Sequence, residues 1–146
     1  MSLNLSRKIL KVIKFSDFYG NLIPLLKIRL ECPKTGRDKL VLGLIDTGSR
    51  YTVVNKYTVK ECFKDDELKT RYVDKVIINN REYYRYSFRF IFPQLDGISR
   101  DFNAAIIEYN PFPEEIVPAV ILGREDFLRD IILCMYKSEW MTLYID

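Results

Sequence analysis

The segment Leu42-Gly43-Leu44-Ile45-Asp46-Thr47-Gly48-Ser49 is where this chain could do chemistry. Apolar residues drive a strand inward, and a carboxylate follows where that strand ends. Such a carboxylate needs polar partners, because ionising it beside a core is otherwise too costly. Thr47 offers a hydroxyl, and Gly48 lets backbone approach closely or take positive φ. Ser49 can hydrogen-bond the neighbouring carboxylate. The same four residue types are also ordinary turn formers. At usage of about 5–7% per residue, Asp-Thr-Gly arises by chance in roughly 3% of chains this long, so alone it is only suggestive.

What the chain lacks narrows the chemistry further. It has no histidine, which excludes Ser-His and Cys-His nucleophile systems and any histidine metal site. Acid–base work therefore falls to carboxylates, Tyr or Lys. The three cysteines, Cys32, Cys62 and Cys134, show no metal-like spacing. Their odd number predicts three thiols in a reducing, intracellular setting.

A second segment bears on the first. Ala119-Val120-Ile121-Leu122-Gly123-Arg124-Glu125-Asp126-Phe127-Leu128 is a hydrophobic run, a glycine and a helix-like stretch. Asp46-Thr47-Gly48-Ser49 resembles the active-site loop of aspartic proteases, and this second segment resembles their downstream hydrophobic-hydrophobic-glycine strand with its short helix. Order and separation fit the single-domain, retropepsin-like group, and the resemblance runs from about Leu22 to Asp146.

The resemblance implies an all-β fold: a retropepsin-like closed barrel with one or two short helices and a psi-shaped loop crossing. It implies one domain over 1–146, with residues 1–18 as an interface strand or an arm. Asp46 becomes the catalytic residue, supported by Thr47, Gly48 and Ser49, with Leu122, Gly123 and Arg124 forming the psi loop. Thr47 would bond across a dimer. Leu95-Asp96-Gly97 lacks the hydroxyl residue and the apolar lead-in, so a carboxylate pair requires a homodimer acting on a peptide or protein substrate. No metal or cofactor is needed.

Two positions depart from that pattern. The hairpin expected to cover substrate has Ile78, Asn79, Asn80 and Arg81 at its tip, with no glycine between Gly48 and Gly97. A rigid amphipathic hairpin packed on the core is an equal reading. Arg50 stands where retroviral members place an acid that pairs with the residue matching Arg124. That pair cannot form here, and Arg124 is left to meet Glu125, Asp126 or an acid of a second chain. These departures support an alternative: a non-catalytic dimeric β module that binds peptide or protein.

The elements that must hold these residues follow from periodicity. Leu26, Ile28 and Leu30 alternate with Lys27, Arg29 and Glu31, which predicts a strand. The turn Pro33 to Gly36 leads to a returning strand over Lys39 to Ile45, and Tyr51 to Val54 is a further strand. Asn55 is placed to cap a helix over Lys56 to Phe63. Lys64 to Arg71 reads as a solvated loop or frayed helix. Val73 to Ile78 and the Tyr84-Tyr86-Phe88-Phe90-Phe92 face form a hairpin about Asn79-Asn80. Further strands are expected at Phe102 to Ile107, Val120 to Leu122, Ile131 to Met135 and Met141 to Ile145. Asn110 to Pro113 reads as a loop, and Arg124 to Arg129 has helix character.

Composition limits the partners. The apolar share of 48% and net charge of +3 are those of an ordinary globular protein. Arg81, Arg85 and Arg89 make a basic stripe, usually a solvated strand face, and the small net charge disfavours nucleic acid. The apolar runs Val41 to Ile45 and Val117 to Leu122 are far too short to span a membrane. The polar start, Met1 to Lys8, is no signal peptide. A cytoplasmic location is expected.

Overall fold

The computed structural model describes residues 9–64, 66–108 and 118–145. The expected Asn110–Pro113 loop and the polar Met1–Lys8 lie outside these residues. Twelve strands are present among the described residues: β1 Ile9–Lys14, β2 Ser16–Phe18, β3 Asn21–Ile23, β4 Leu25–Glu31, β5 Asp38–Ile45 and β6 Val53–Asn55. They continue as β7 Asp74–Ile78, β8 Arg81–Phe92, β9 Ile98–Ile107, β10 Val120–Leu122, β11 Ile131–Tyr136 and β12 Trp140–Ile145.

Six strands close on themselves in the order β4-β5-β10-β6-β9-β8, with β8 pairing back to β4 and β7 hanging on β8. Closure removes the exposed edges that an open sheet would carry. Alternation builds the interior. Tyr86, Phe88, Phe90 and Phe92 are buried on one face of β8, and Leu26, Ile28 and Leu30 face them from β4. Each such side chain contributes about 1.5–3 kcal/mol of burial. Of the arm expected over 1–18, residues 9–18 are described: 9–14 pair with β12 in a separate sheet ordered β1-β12-β11, and 16–18 pair with β3.

The topology at β10 matters most. β5 and β6 are joined by residues 46–52, yet they are not neighbours. β10 lies between them, parallel to β5 and antiparallel to β6. The Asp46 loop therefore has to cross the end of β10.

Three expectations fail. No α-helix forms over Lys56 to Phe63. Asn55 Oδ1 does accept from the Tyr57 amide at 3.2 Å, but the chain then makes separate turns, with Thr58 N donating to Asn55 O and Cys62 N to Val59 O. These turns put Val59 and Cys62 into the core. Arg124 to Arg129 is likewise not α-helical, with only a 3₁₀ turn at Leu128–Asp130. Leu128 N donates to Gly123 O at 3.1 Å, five residues back rather than four, so the helical ladder does not start, while Ser49 O and Arg50 O hold the Arg124 and Glu125 amides. The thiol expectation also fails: Cys32 and Cys62 form a disulfide with Cα atoms 5.2 Å apart. Only Cys134 is free, and it is exposed. No helix among the described residues is long and apolar enough to cross a membrane.

Candidate active site

Asp46 follows the last residue of β5 and is half-buried. Its amide donates to Leu122 O at 3.1 Å, which fixes the loop to β10. Its Oδ1 accepts from the Gly48 amide at 2.9 Å. A Cβ on Gly48 would stand 3.2 Å from that same oxygen, so a glycine keeps the carboxylate close to the backbone; its φ is not positive. Ser49 does not bond the carboxylate. Its hydroxyl donates to Tyr51 O at 2.8 Å, and its amide closes a turn on Asp46 O. Thr47 is exposed.

Beneath the loop, Gly123 passes against Tyr51 and Thr52. A Cβ there would meet Tyr51 C and O at 2.4 Å and Thr52 N at 2.8 Å. Gly123 N donates to the buried Thr52 Oγ1 at 3.1 Å. With Leu122 O taken by Asp46 N and Arg124 N given to Ser49 O, three successive residues brace the loop.

Arg50 makes an ion pair with Glu125, Nε to Oε1 at 2.6 Å. That pair holds the Arg50 guanidinium above its ordinary pKa, the hydrogen bond to Glu125 contributing most. Arg124 is exposed and makes no ion pair among the described residues, so neither Glu125 nor Asp126 engages it.

Ile78, Asn79, Asn80 and Arg81 form the tip of the β7–β8 hairpin. Asn79 and Asn80 both take positive φ, 51° and 64°, the backbone that a two-residue hairpin turn demands. Under the hairpin, Val53, Val76 and Ala105 are buried with Tyr51, Ile78, Tyr83, Ile107 and Ile121 packed around them. This apolar patch is separate from the main core and adjoins the Asp46 loop through Tyr51.

Sequence reasoning missed the roles of Asp126, Thr52, Arg85, Asp74 and Tyr51. Asp126 Oδ2 accepts from the Thr52 amide at 2.8 Å. Its carboxyl is pushed above the ordinary range by burial, partly offset by the Thr52 bonds and the nearby Arg85. Arg85, read as part of a solvated stripe, pairs with Asp74 through two bonds, Nε to Oδ1 at 2.7 Å. That pairing holds Asp74 below its ordinary range, with burial opposing. The Arg50 and Arg85 guanidinium carbons lie 5.0 Å and 5.3 Å from the Tyr51 ring centroid, within cation–π range. A carboxylate ahead of Phe127 and Leu128 was a usable signal for Asp126, since a half-buried acid needs partners.

Comparison with solved structures places this architecture. A retropepsin-like aspartic protease from Rickettsia conorii superposes with a TM-score of 0.58 at 10% sequence identity, covering 94% of each chain. The retroviral protease-like domain of Ddi1 from Leishmania major gives a TM-score of 0.44 at 15% identity, over 75% of this chain and 81% of that one. No protein-family model and no curated protein matches the sequence. The chain has the retropepsin-like all-β fold.

Proposed function

We propose that this chain is one half of an aspartic endopeptidase that completes its site by pairing with a second copy of itself. The observation that supports this most is the setting of Asp46: a half-buried carboxylate after a barrel strand, held by Gly48 and braced by β10, on a retropepsin-like fold. One carboxylate cannot be base and acid at once. A second copy, related by a two-fold axis through the site, supplies the other.

Two carboxylates a few ångströms apart cannot both ionise cheaply, so the pair shares one proton and titrates as a unit. The ionised Asp46 takes a proton from a water held between the two. The water oxygen attacks the peptide carbonyl carbon while the protonated Asp46 polarises the carbonyl oxygen. Passing its proton to that oxygen makes the tetrahedral diol, which collapses as the Asp46 that took the water's proton gives it to the amide nitrogen, the other Asp46 takes back a hydroxyl proton and the C–N bond breaks. Thr47 bonds across the two-fold and holds the loops together, and the β7–β8 hairpin covers the substrate.

A second reading, a dimeric module that binds peptide without cutting it, is favoured by the glycine-free hairpin tip and by the cation at Arg50. The expected cytoplasmic location drew on free thiols as well as on the polar start and the short apolar runs. The Cys32–Cys62 bridge removes the thiol support, and the reading does not depend on location.

The test is digestion of a proteome-derived peptide library by wild type and Asp46→Asn from acidic to neutral pH. Cleavage by wild type alone, blocked by a statine-type inhibitor, supports the dyad. No cleavage at any pH by a protein that is dimeric in light scattering leaves the binding module.

A further inference from the structure

Arg85 stands at a junction. Arg85↔Ala105 begins the pairing of β8 with β9, and Asp74↔Arg85 is the base pair of the β7–β8 ladder. Residues 81–84 pair with β7 alone. Arg85 is thus the point at which the hairpin leaves the barrel.

It is also far more enclosed than its neighbour on the same face. The Arg85 side chain is 15% exposed, against 53% for Arg89. The guanidinium meets three elements. It bonds both oxygens of Asp74 on β7, its Nη1 lies 3.8 Å from Asp126 Oδ1 beyond β10, and its carbon lies over the Tyr51 ring in the Asp46 loop. Asp126 holds the Thr52 amide with its other oxygen, and Thr52 Oγ1 holds Gly123. A planar fork with donors on three nitrogens can serve two carboxylates at once, which a lysine ammonium does poorly.

We propose that Arg85 is a positioning residue for the Asp46 site, tying the root of the β7–β8 hairpin through Asp126 and Tyr51 to the loop that carries Asp46. Motion of the hairpin is then confined to residues 76–83, and any shift of its root is felt in the loop. What the tie serves rests on the protease reading; the tie itself does not.

Hydrogen exchange by mass spectrometry on the full chain tests this, comparing wild type with Arg85→Lys, Arg85→Gln and Asp126→Asn. Peptides over 49–54 and 74–84 are read against 131–145, which lies in the separate β1-β12-β11 sheet and makes none of the hydrogen bonds or ion pairs of the network. In Arg85→Lys, exchange is expected to rise about tenfold or more in both segments while 131–145 is unchanged, the scale of one lost charged hydrogen bond. Asp126→Asn should raise both as well. A rise confined to 74–84 would overturn the proposal, making Arg85 a staple of the hairpin alone. An equal rise everywhere would also overturn it, as general destabilisation. Should Arg85→Gln not fold, the other two variants decide.

With a cleavable peptide, Arg85→Lys should raise KM several-fold more than it lowers kcat, because substrate cover is what loosens. Equal KM in the two proteins counts against positioning. A wild type that cuts nothing would sink the protease reading, and the exchange data would still decide the tie.

Discussion

Gly123 and Tyr51 touch backbone to backbone: a Cβ on Gly123 would lie 2.4 Å from the Tyr51 carbonyl carbon and oxygen. Neither atom can swing aside, since Tyr51 sits between a loop fixed to Leu122 O and the strand β6. Gly123→Ala should therefore cost at least about 3 kcal/mol, the upper range for overpacking, with loss of any Asp46-dependent activity. Gly43→Ala is the contrast. Its Cβ would also meet an atom at 2.4 Å, but that atom is the Cδ1 end of Ile28, which can rotate. Urea titration should rank Gly123→Ala well below Gly43→Ala, and equal midpoints would mean that the crossing is looser than drawn.

The Cys32–Cys62 bridge joins residues 30 apart in sequence, and the span it closes contains the whole Asp46 loop. On the chain-entropy account, a loop of this size is worth roughly 3–4 kcal/mol. Reduction, or Cys32→Ser with Cys62→Ser, should lower the urea midpoint accordingly. Intact mass before and after reduction and alkylation checks that the bridge is present. If the oxidised protein takes up alkylating reagent at all three cysteines, the bridge is absent.

The sequence revealed strands well and the site's supports poorly, for a physical reason. The β8 alternation, the Asn79-Asn80 turn and the Gly123 strand end are encoded locally, by periods of two and by turn residues. The disulfide, the Arg85–Asp74–Asp126 network and the Thr52–Gly123 bond depend on which strands lie side by side. No local pattern carries that. The two helices failed for the same reason. Arg124 and Glu125 have helix-start character, but contacts with Ser49 and Arg50, far away in sequence, set the backbone there, and Leu128 N closes on Gly123 O, five residues back rather than four. At Lys56 to Phe63 the cap formed, and the demand to bury Val59 and Cys62 overrode the helix.

Two carboxylates of the network should pull stability in opposite directions with pH. Asp74 is held below its ordinary value by Arg85, so its stabilisation is present above the unfolded pKa and lost as pH falls through the native one. Asp126 is raised by burial, so its contribution is full below the unfolded value and lost as pH rises through the native one. Asp126→Asn isolates the second effect. The stability of wild type minus that of the variant should fall as pH climbs above about 4, then level off. A difference that grows over that range would mean that Arg85 outweighs burial at Asp126.

Thr47 separates fold from assembly. It is exposed, and its hydroxyl makes no hydrogen bond among the described residues, so within one copy it has little to lose. Thr47→Ala should shift the unfolding midpoint of dilute, monomeric protein by no more than about 0.5 kcal/mol, as for ordinary surface changes. If the hydroxyl bonds across a two-fold, the same variant should weaken self-association about tenfold, one hydrogen bond desolvated at an interface on each side. Sedimentation equilibrium over a concentration series measures this, with Asp46→Asn as companion. Asp46→Asn relieves the repulsion between paired carboxylates and should associate at least as tightly as wild type while losing cleavage. Unchanged association in Thr47→Ala would remove the hydroxyl from the interface. Weakened association in both variants would point instead to a loop that each substitution distorts, since relieving charge repulsion cannot by itself loosen a dimer.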